Sequence, residues 1–175
     1  MELDDIDFTI LSLLQQDGRI SHTAIAKLVE LSSPSVTARI QRLEKDGTIV
    51  RYAALLAPDR IDQGILGFVR VRTGASDDDS LAFEQYAQRA PEVLECHDVD
   101  GEDSYILKVR TRNTQALREL IARIRSFPDV TRTITSIVLL TIREEALTSP
   151  IRQRDVSVSA PPSPESKEND TNHDE

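Results

Sequence analysis

The sequence predicts an α+β chain in which a helical amino-terminal module precedes a module with the element order βαββαβ. Three observations indicate this architecture. Apolar residues recur at helical spacing in three segments before residue 47. From residue 65 onward, short segments that alternate apolar and polar residues are interleaved with two further segments of helical spacing. Clusters of glycine, proline and aspartate separate these segments, as turns require.

The first predicted helix covers residues 3–16. Asp4 suits the N-cap, and Asp7 follows three residues later, at the spacing of a capping box. Apolar residues at positions i, i+4 and i+7 form one buried stripe, and the pair Asp17-Gly18 ends the helix.

Residues 21–51 predict two short helices joined by a tight turn. Ser21 caps the first and Ser32 caps the second, because a serine hydroxyl accepts a hydrogen bond from a free backbone N–H of the first turn. Pro34 is compatible with that turn, since no donor is needed from it. The second of these helices ends at Gly47. Its buried stripe consists of Val36, Ile40 and Leu43.

The opposite face of that helix carries small polar residues and arginines. As the second member of a helix-turn-helix pair, such a helix suits the major groove of DNA. The predicted DNA contacts are Ser33, Pro34, Ser35, Thr37, Ala38, Arg39 and Arg42. The alternative is a surface hairpin with ordinary solvated charges, in which Arg42 forms an exposed and weak ion pair.

Three segments flank or join the modules. Residues 49–52 predict a short strand at the end of a helix-turn-helix domain of residues 1–52, and residues 53–64 form a linker. Residues 148–175 contain four prolines, several serines and an acidic end. We expect this tail to be disordered, because it holds too few apolar residues to offset the entropy of ordering it.

The second predicted domain covers residues 65–147. Its predicted strands are 65–72, 93–99, 105–110 and 130–142, and its predicted helices are capped by Ser80 and Thr114. This order gives a four-stranded antiparallel sheet with both helices on one face. The other face stays uncovered and is expected to be apolar, because the run 137–140 is apolar on both sides. An exposed apolar face predicts packing against a second copy, and hence a homodimer.

Composition excludes several classes of protein. The formal net charge of −9 argues against a chain coated uniformly in positive charge, although basic residues outnumber acidic ones within 33–45. Cys96 is the only cysteine, which excludes an intrachain disulfide and a zinc cluster and fits a reducing compartment. Without a signal-peptide pattern or an apolar run of about 18 residues, we expect a cytoplasmic protein that does not contact the membrane. No phosphate loop, nucleophile motif or metal-ligand spacing is found, so we expect no enzyme, no metal and no cofactor.

At this point the sequence resembles the Lrp/AsnC (feast/famine) transcription regulators. The resemblance lies in LDDIDFTILSLLQQDGRIS and RIQRLEKDGTI of the first module, and in PEVLECHDVDGEDSYILKV and VTRTITSIVLL of the second, and it covers residues 2–146. It implies a winged helix-turn-helix domain followed by a ferredoxin-like (ACT-like) domain for ligand binding and oligomerisation. It also implies a regulator that binds double-stranded DNA as homodimers, often as a ring of four dimers. The implied effector is a small molecule, commonly an amino acid, bound at clefts between dimers.

The resemblance places ligand binding at the loop Asp100, Gly101, Glu102, Asp103 and Ser104, with Thr133, Thr135 and Ser136 as secondary lining. The family commonly has Gly-Asp-aromatic-Asp in this loop, and this chain departs from that pattern at Asp103 and Ser104. The three acids disfavour a purely anionic ligand and leave room for a cation or a basic amino acid. The alternative is a tight acidic hairpin turn without a ligand.

Two other functions stay open at the level of sequence. One is an architectural protein that wraps DNA without an effector, and it shares the predicted DNA contacts. The other is a ligand-binding oligomeric module that has lost DNA binding, which the acidic net charge favours and the basic helix opposes.

Overall fold

The computed structural model describes residues 2–74 and 77–144. Their contacts form two compact units, one up to Tyr52 and the other from Ala53 to Glu144. The first unit is helical and the second holds a four-stranded sheet with two helices, so the predicted α+β class is confirmed. The predicted tail, residues 148–175, lies outside the described residues.

The first unit contains three helices: α1 (Asp5–Gln16), α2 (His22–Leu28) and α3 (Ser33–Lys45). All three predicted N-caps are confirmed. Asp4 forms a full capping box, in which its Oδ1 accepts from the Asp7 N–H at 2.8 Å and its own N–H donates to Asp7 Oδ2 at 3.2 Å. The hydroxyls of Ser21 and Ser32 accept from backbone N–H groups three residues further on.

The core of the first unit joins all three helices. The predicted stripe of α3 is fully buried, and it packs with Ile10 of α1 and Ile25 of α2. The sequence spacing of Ile25, Leu28 and Val29 predicts one buried stripe for α2, but Leu28 is exposed, because α2 ends there and the chain turns through Glu30 at a φ of 55°.

The predicted strand over residues 49–52 is wrong: this segment pairs with no other strand among the described residues. Gly47 takes a φ of 80°, a conformation that suits glycine, and ends α3. The Ile49 N–H then donates to the Leu43 carbonyl at 2.9 Å, so Ile49 closes the helix end rather than starting a strand. Val50 is exposed.

The second unit starts with a short 3₁₀ helix, Pro58–Ile61, where the sequence predicted an irregular linker. The elements that follow are β1 (Ile65–Thr73), α4 (Asp77–Arg89), β2 (Val93–Asp98), β3 (Tyr105–Thr111), α5 (Thr114–Arg125) and β4 (Val130–Ile137). The strand order is β2-β3-β1-β4, and every neighbouring pair is antiparallel. A cluster that includes Phe83, Leu107 and Leu120 fills the space between the sheet and the helices.

Three predicted boundaries of this unit need correction. Asn113 caps α5, where its side chain accepts from the Ala116 N–H at 2.8 Å, and Thr114 is the first helical residue. Helix α4 begins at Asp77, so Ser80 lies within the helix rather than before it. Strand β4 ends at Ile137 instead of 142: its pairing with β1 stops at Gly67, and one further bond, from the Val138 N–H to the Leu66 carbonyl at 2.9 Å, lies next to the start of β1.

The open face of the sheet is less apolar than predicted. It carries Leu66, Phe68, Ile106 and Ile134 among five cationic residues, Arg70, Arg72, Lys108, Arg110 and Arg132. The run 137–140 adds no apolar surface to this open face, because Ile137 lies on the helix side of the sheet and the rest of the run follows the end of β4. Glu144 pairs with Lys108 and Arg110 at 2.8 and 2.7 Å. None of the described helices has the length and apolar character needed to cross a membrane.

Candidate nucleic-acid interface and effector site

The outward face of α3 is set by its buried stripe. With 3.6 residues per turn, the positions opposite the stripe are Pro34, Ala38, Gln41 and Lys45, which we call the outward strip. All four are exposed. Within the described part of the chain, no hydrogen bond or ion pair occupies the side chain of Gln41 or Lys45.

The predicted DNA contacts divide between this strip and its flanks. Pro34 and Ala38 belong to the strip, and Ser35 and Arg42 lie exposed beside it. Ser33, Thr37 and Arg39 are half-buried. Gln41 and Lys45 were not among the predicted contacts, although the spacing of 34, 38, 41 and 45 would have placed them with Pro34 and Ala38.

Thr37 is held on the side of α3 that adjoins α2. Its hydroxyl donates to the Ser33 carbonyl at 3.0 Å, and it lies 2.9 Å from Nδ1 of His22. Because the single hydroxyl proton is already donated, His22 must be the donor in the second contact. This bond fixes the amino-terminal end of α2 beside the first turns of α3.

Arg39 and Arg42 point towards α1 and bind its acidic amino-terminal end. Arg39 Nη1 donates to Asp7 Oδ1 at 2.8 Å and to Asp4 Oδ2 at 2.7 Å. Arg42 Nη2 donates to Asp7 Oδ2 at 2.6 Å. The Asp7 side chain is completely buried, whereas about half of the Asp4 side chain is exposed.

This network shifts two of its pKa values in the directions that favour charge. The pKa of Asp4 is lowered, first by the hydrogen bond from the Asp7 N–H and then by Arg39. The pKa of Arg39 is raised by its hydrogen bonds to Asp4 and Asp7. Two of the predicted DNA contacts therefore already have carboxylate partners within the protein.

The loop from Asp100 to Ser104 joins β2 to β3 and is tied to the end of β1. Ser104 Oγ accepts from the Thr73 N–H at 3.1 Å, and the Ser104 N–H donates to the Val71 carbonyl at 2.8 Å. Asp103 lies 3.5 Å from Arg70, and the backbone carbonyl of Glu102 accepts from Arg72. Arginines of β1 thus offset part of the acidic charge of the loop, while Asp100 and Glu102 stay exposed.

The eight predicted ligand residues do not meet in one place within a chain. The loop lies on the β3 side of β1, whereas Thr133, Thr135 and Ser136 lie on β4, on the other side of β1. Thr133 and Thr135 face the helices, because they pair with the buried residues Val71 and Val69. Ser136 pairs with Phe68 and faces the open side of the sheet.

A groove of about 770 Å³ runs between α5 and β4, and we call it the α5–β4 groove. Its lining is one face of α5 together with two β4 residues: Thr114, Leu117, Arg118, Ile121, Ala122, Arg125, Ser126, Thr135 and Ile137. The Thr135 hydroxyl is buried, and no group of the described chain hydrogen-bonds to it. Arg125 Nε donates to Thr133 Oγ1 at 2.6 Å, beside the groove.

Sequence reasoning named Thr135 as a ligand residue but did not name Arg118 or Arg125, which line the same groove. The available signal was the spacing 114, 118, 121 and 125, which marks a second face of α5 next to its buried stripe. The groove lining combines two cations, three hydroxyls and apolar side chains. Such a combination suits a small molecule with a carboxylate and an apolar part.

Cys96 and His97 point to opposite faces of β2, since Cys96 pairs with Leu107 and His97 with Ile106. Burial raises the pKa of the Cys96 thiol, with smaller contributions from Glu84 and Asp98. A thiol with a raised pKa is a poor nucleophile. The described residues contain no cluster of three side chains that could hold a metal ion.

Comparisons with known proteins match both units. Residues 3–50 match the family model described as winged helix-turn-helix DNA-binding, and residues 66–148 match the one described as Lrp/AsnC ligand binding domain. The leucine-responsive regulatory proteins of Escherichia coli K12 and Salmonella typhimurium are each 38% identical over 149 residues. That alignment covers 82% of this chain and 88% of theirs.

Solved structures of regulators share this fold. A transcriptional regulator of Neisseria meningitidis, determined as a complex with L-methionine, superimposes with a TM-score of 0.80 at 30% identity, covering 83% of this chain and 95% of the other. The leucine response regulatory protein of Mycobacterium tuberculosis superimposes with a TM-score of 0.70 at 33% identity, and the match covers 85% of this chain and 100% of the other. Sequence and fold agree over both units, and the chain belongs to the Lrp/AsnC family of transcriptional regulators.

Proposed function

We propose that this regulator reads DNA with the outward strip of α3 and senses an amino acid in the α5–β4 groove. The observation that carries the proposal is the groove, where the buried and unpartnered Thr135 hydroxyl lies with two arginines. As a transcriptional regulator the protein acts on DNA and not as an enzyme, and we propose the cytoplasm as its location.

The outward strip has side chains suited to base and phosphate recognition. Gln41 offers an amide that pairs with adenine through two hydrogen bonds, and Ala38 suits the methyl group of thymine. Lys45 and the flanking Ser35 supply contacts to phosphate, which position the helix without reading sequence. The strip replaces Arg39 as the centre of the predicted DNA surface, because Arg39 lies closer to the buried stripe and is bound to Asp4 and Asp7.

DNA binding by the strip is tested with Gln41→Ala and Lys45→Gln in the full chain, using duplexes selected from a random pool. We expect Gln41→Ala to relax preference at one base pair by about 1–3 kcal/mol. We expect Lys45→Gln to weaken all duplexes alike and to lower the salt slope by about 1. Arg112→Gln, the same kind of charge change on an exposed residue of the other unit, is the matched control. Unchanged binding in both strip variants would refute this use of α3.

The effector part of the proposal follows from the chemistry of the α5–β4 groove. Arg118 and Arg125 suit a carboxylate, and Ile121 and Ile137 suit an apolar side chain. A ligand oxygen that reaches Thr135 gains a hydrogen bond and relieves a buried hydroxyl that lacks one. The relatives named for leucine and the complex with L-methionine support an apolar amino acid as the class of effector.

The groove offers no carboxylate for the ammonium group of such a ligand among its lining residues. The exposed acids of the 100–103 loop are suited to that role, but β1 separates them from the groove within one chain. We therefore propose that the loop of a second copy closes the groove, which unites the two halves of the predicted ligand site. This arrangement requires at least a homodimer and fits a ring of four dimers.

Calorimetric titration with the twenty amino acids tests the effector site. We expect an apolar L-amino acid to bind the full chain, with affinity lost in Arg118→Ala and in Glu102→Gln but kept in the control Arg112→Ala. Loss in Arg118→Ala alone would refute closure by the loop. Binding of no amino acid, with DNA binding intact, would favour the architectural function. Ligand binding without DNA binding would favour the oligomeric sensing module.

A further inference from the structure

We propose that Asp7 and Arg39 are positioning residues for DNA recognition, which fix α3 against α1 without touching DNA. The proposal rests on the DNA-reading role proposed for α3. Its basis is the side-chain network between the two helices, which joins residues 32 and 35 positions apart in the chain.

The Asp7 carboxylate is the centre of the network. Its side chain is completely buried, and its two oxygens accept from Arg39, from Arg42 and from the Asp4 N–H. The same residue closes the capping box of α1. One carboxylate therefore fixes both the start of α1 and the angle at which α3 lies across it.

The position of Arg39 argues against a direct phosphate contact. A quarter of its side chain is exposed, and one guanidinium nitrogen is shared between Asp4 and Asp7. A buried carboxylate is strongly unfavourable once a cationic partner leaves. If Arg39 turned towards DNA, the buried Asp7 carboxylate would lose one of its two cationic partners. The free energy of that loss would offset the free energy gained from a contact between Arg39 and a phosphate.

Charge balance leads to the same conclusion. Asp4 and Asp7 carry two negative charges and Arg39 and Arg42 carry two positive charges, so the network is neutral as a whole. A neutral network adds little to the attraction of α3 for DNA. Its effect is to keep the acidic start of α1 from repelling phosphates and to hold the outward strip at a fixed orientation.

The two possible roles of Arg39 predict opposite effects of Asp7→Asn. If Asp7 positions α3, removing its charge loosens the helix and weakens binding of a selected duplex, by about tenfold for a loss of one strong charged hydrogen bond. If the arginines contact phosphate directly, the same substitution frees them, removes a negative charge and strengthens binding. Tighter binding by Asp7→Asn would overturn the proposal.

The salt dependence of Arg39→Gln gives an independent test. A lost phosphate contact lowers the slope of log K against log salt by about 0.9, whereas a lost positioning residue weakens binding at an unchanged slope. Lys45→Gln provides the reference for a lowered slope. If neither Lys45→Gln nor Gln41→Ala alters DNA binding, the reading role of α3 fails. If Arg39→Gln lowers the slope as Lys45→Gln does, the positioning role fails.

A third measurement does not depend on the stability of a variant. In the unaltered chain, the guanidinium resonances of Arg39 are followed by nitrogen NMR during titration with the selected duplex. We expect them to keep their chemical shifts while the side-chain amide of Gln41 shifts. A shift of the Arg39 guanidinium comparable with that of Gln41 would assign Arg39 to the DNA surface and refute the proposal.

Discussion

We predict that removing the buried hydroxyl of Thr135 stabilises the effector-free protein, whereas most substitutions of buried residues destabilise it. Thr135→Val keeps the shape of the side chain and replaces its buried, unpartnered Oγ1 by a methyl group. A buried polar group without a hydrogen bond destabilises a protein by about 1–3 kcal/mol, so this substitution should raise the free energy of unfolding of the effector-free chain. At the lower end of that range, the Tm of a domain of this size rises by about 4–8 °C.

Thr133→Val is the matched control, two residues away on the same face of β4. The Thr133 hydroxyl accepts from Arg125 Nε at 2.6 Å, so its removal breaks a hydrogen bond instead of relieving an unsatisfied group. We expect the free energy of unfolding of this variant to fall by about 0.5–1.5 kcal/mol. The same chemical change should therefore stabilise at one position and destabilise at the other.

Differential scanning calorimetry without and with the effector measures both effects. The rise in Tm caused by the effector should be smaller in Thr135→Val if the hydroxyl binds the effector, because a lost hydrogen bond weakens affinity and stabilisation by a ligand follows its affinity. A lower Tm in effector-free Thr135→Val would show that the hydroxyl is satisfied in solution. That result would remove the main support for the α5–β4 groove as the effector site.

Three further predictions concern stability. Leu43→Ala removes a fully buried side chain of the first unit and should lower its free energy of unfolding by about 2–5 kcal/mol. The loss is measured as weaker DNA binding and a smaller helical circular dichroism signal. The pKa of Glu144 is lowered, mainly by Lys108, so its ion pairs stabilise the fold above the unfolded pKa of about 4.3 and this contribution is lost as the pH falls through the folded value. The Tm difference between the unaltered chain and Glu144→Gln should therefore shrink in acid, and a constant difference from pH 7 to 3 would contradict it. Gly74→Ala should lower the Tm, since a Cβ there would lie 2.6 Å from Oδ1 of Asp129; an unchanged Tm would show that Asp129 moves aside.

Local chemistry explains what could be predicted from the sequence. The caps at Asp4, Ser21 and Ser32 depend on a side chain and a backbone group three residues apart, so they are visible in the sequence. The buried stripe of α3 and the order βαββαβ follow from periodicity in the same way.

The incorrect boundaries depended on partners distant in the chain. Strand β4 ends beside the start of β1, and apolar composition alone could not reveal that limit. The strand expected over residues 49–52 has the right composition but no partner strand among the described residues. Asn113 was overlooked because Thr114, the next residue, is also a common cap.

The two proposed sites depend on contacts between distant residues, which the sequence reveals only in part. The sequence placed DNA binding on α3 and named Thr135, but the ion pairs of Arg39 with Asp4 and Asp7 cross more than thirty residues without any periodic signal. The α5–β4 groove arises only when α5 is laid over an edge strand. Contacts of this kind are fixed by tertiary structure, which local patterns do not encode.

We propose that effector binding in the second unit alters DNA binding by the first. Fluorescence anisotropy with a selected duplex, measured for the full chain with and without each of the twenty L-amino acids, tests it directly. We predict that at least one apolar amino acid changes the dissociation constant about 5–150-fold, the usual range of such coupling, and that Arg118→Ala removes the change. If no amino acid alters the dissociation constant for DNA, effector binding and DNA binding are not coupled in this protein.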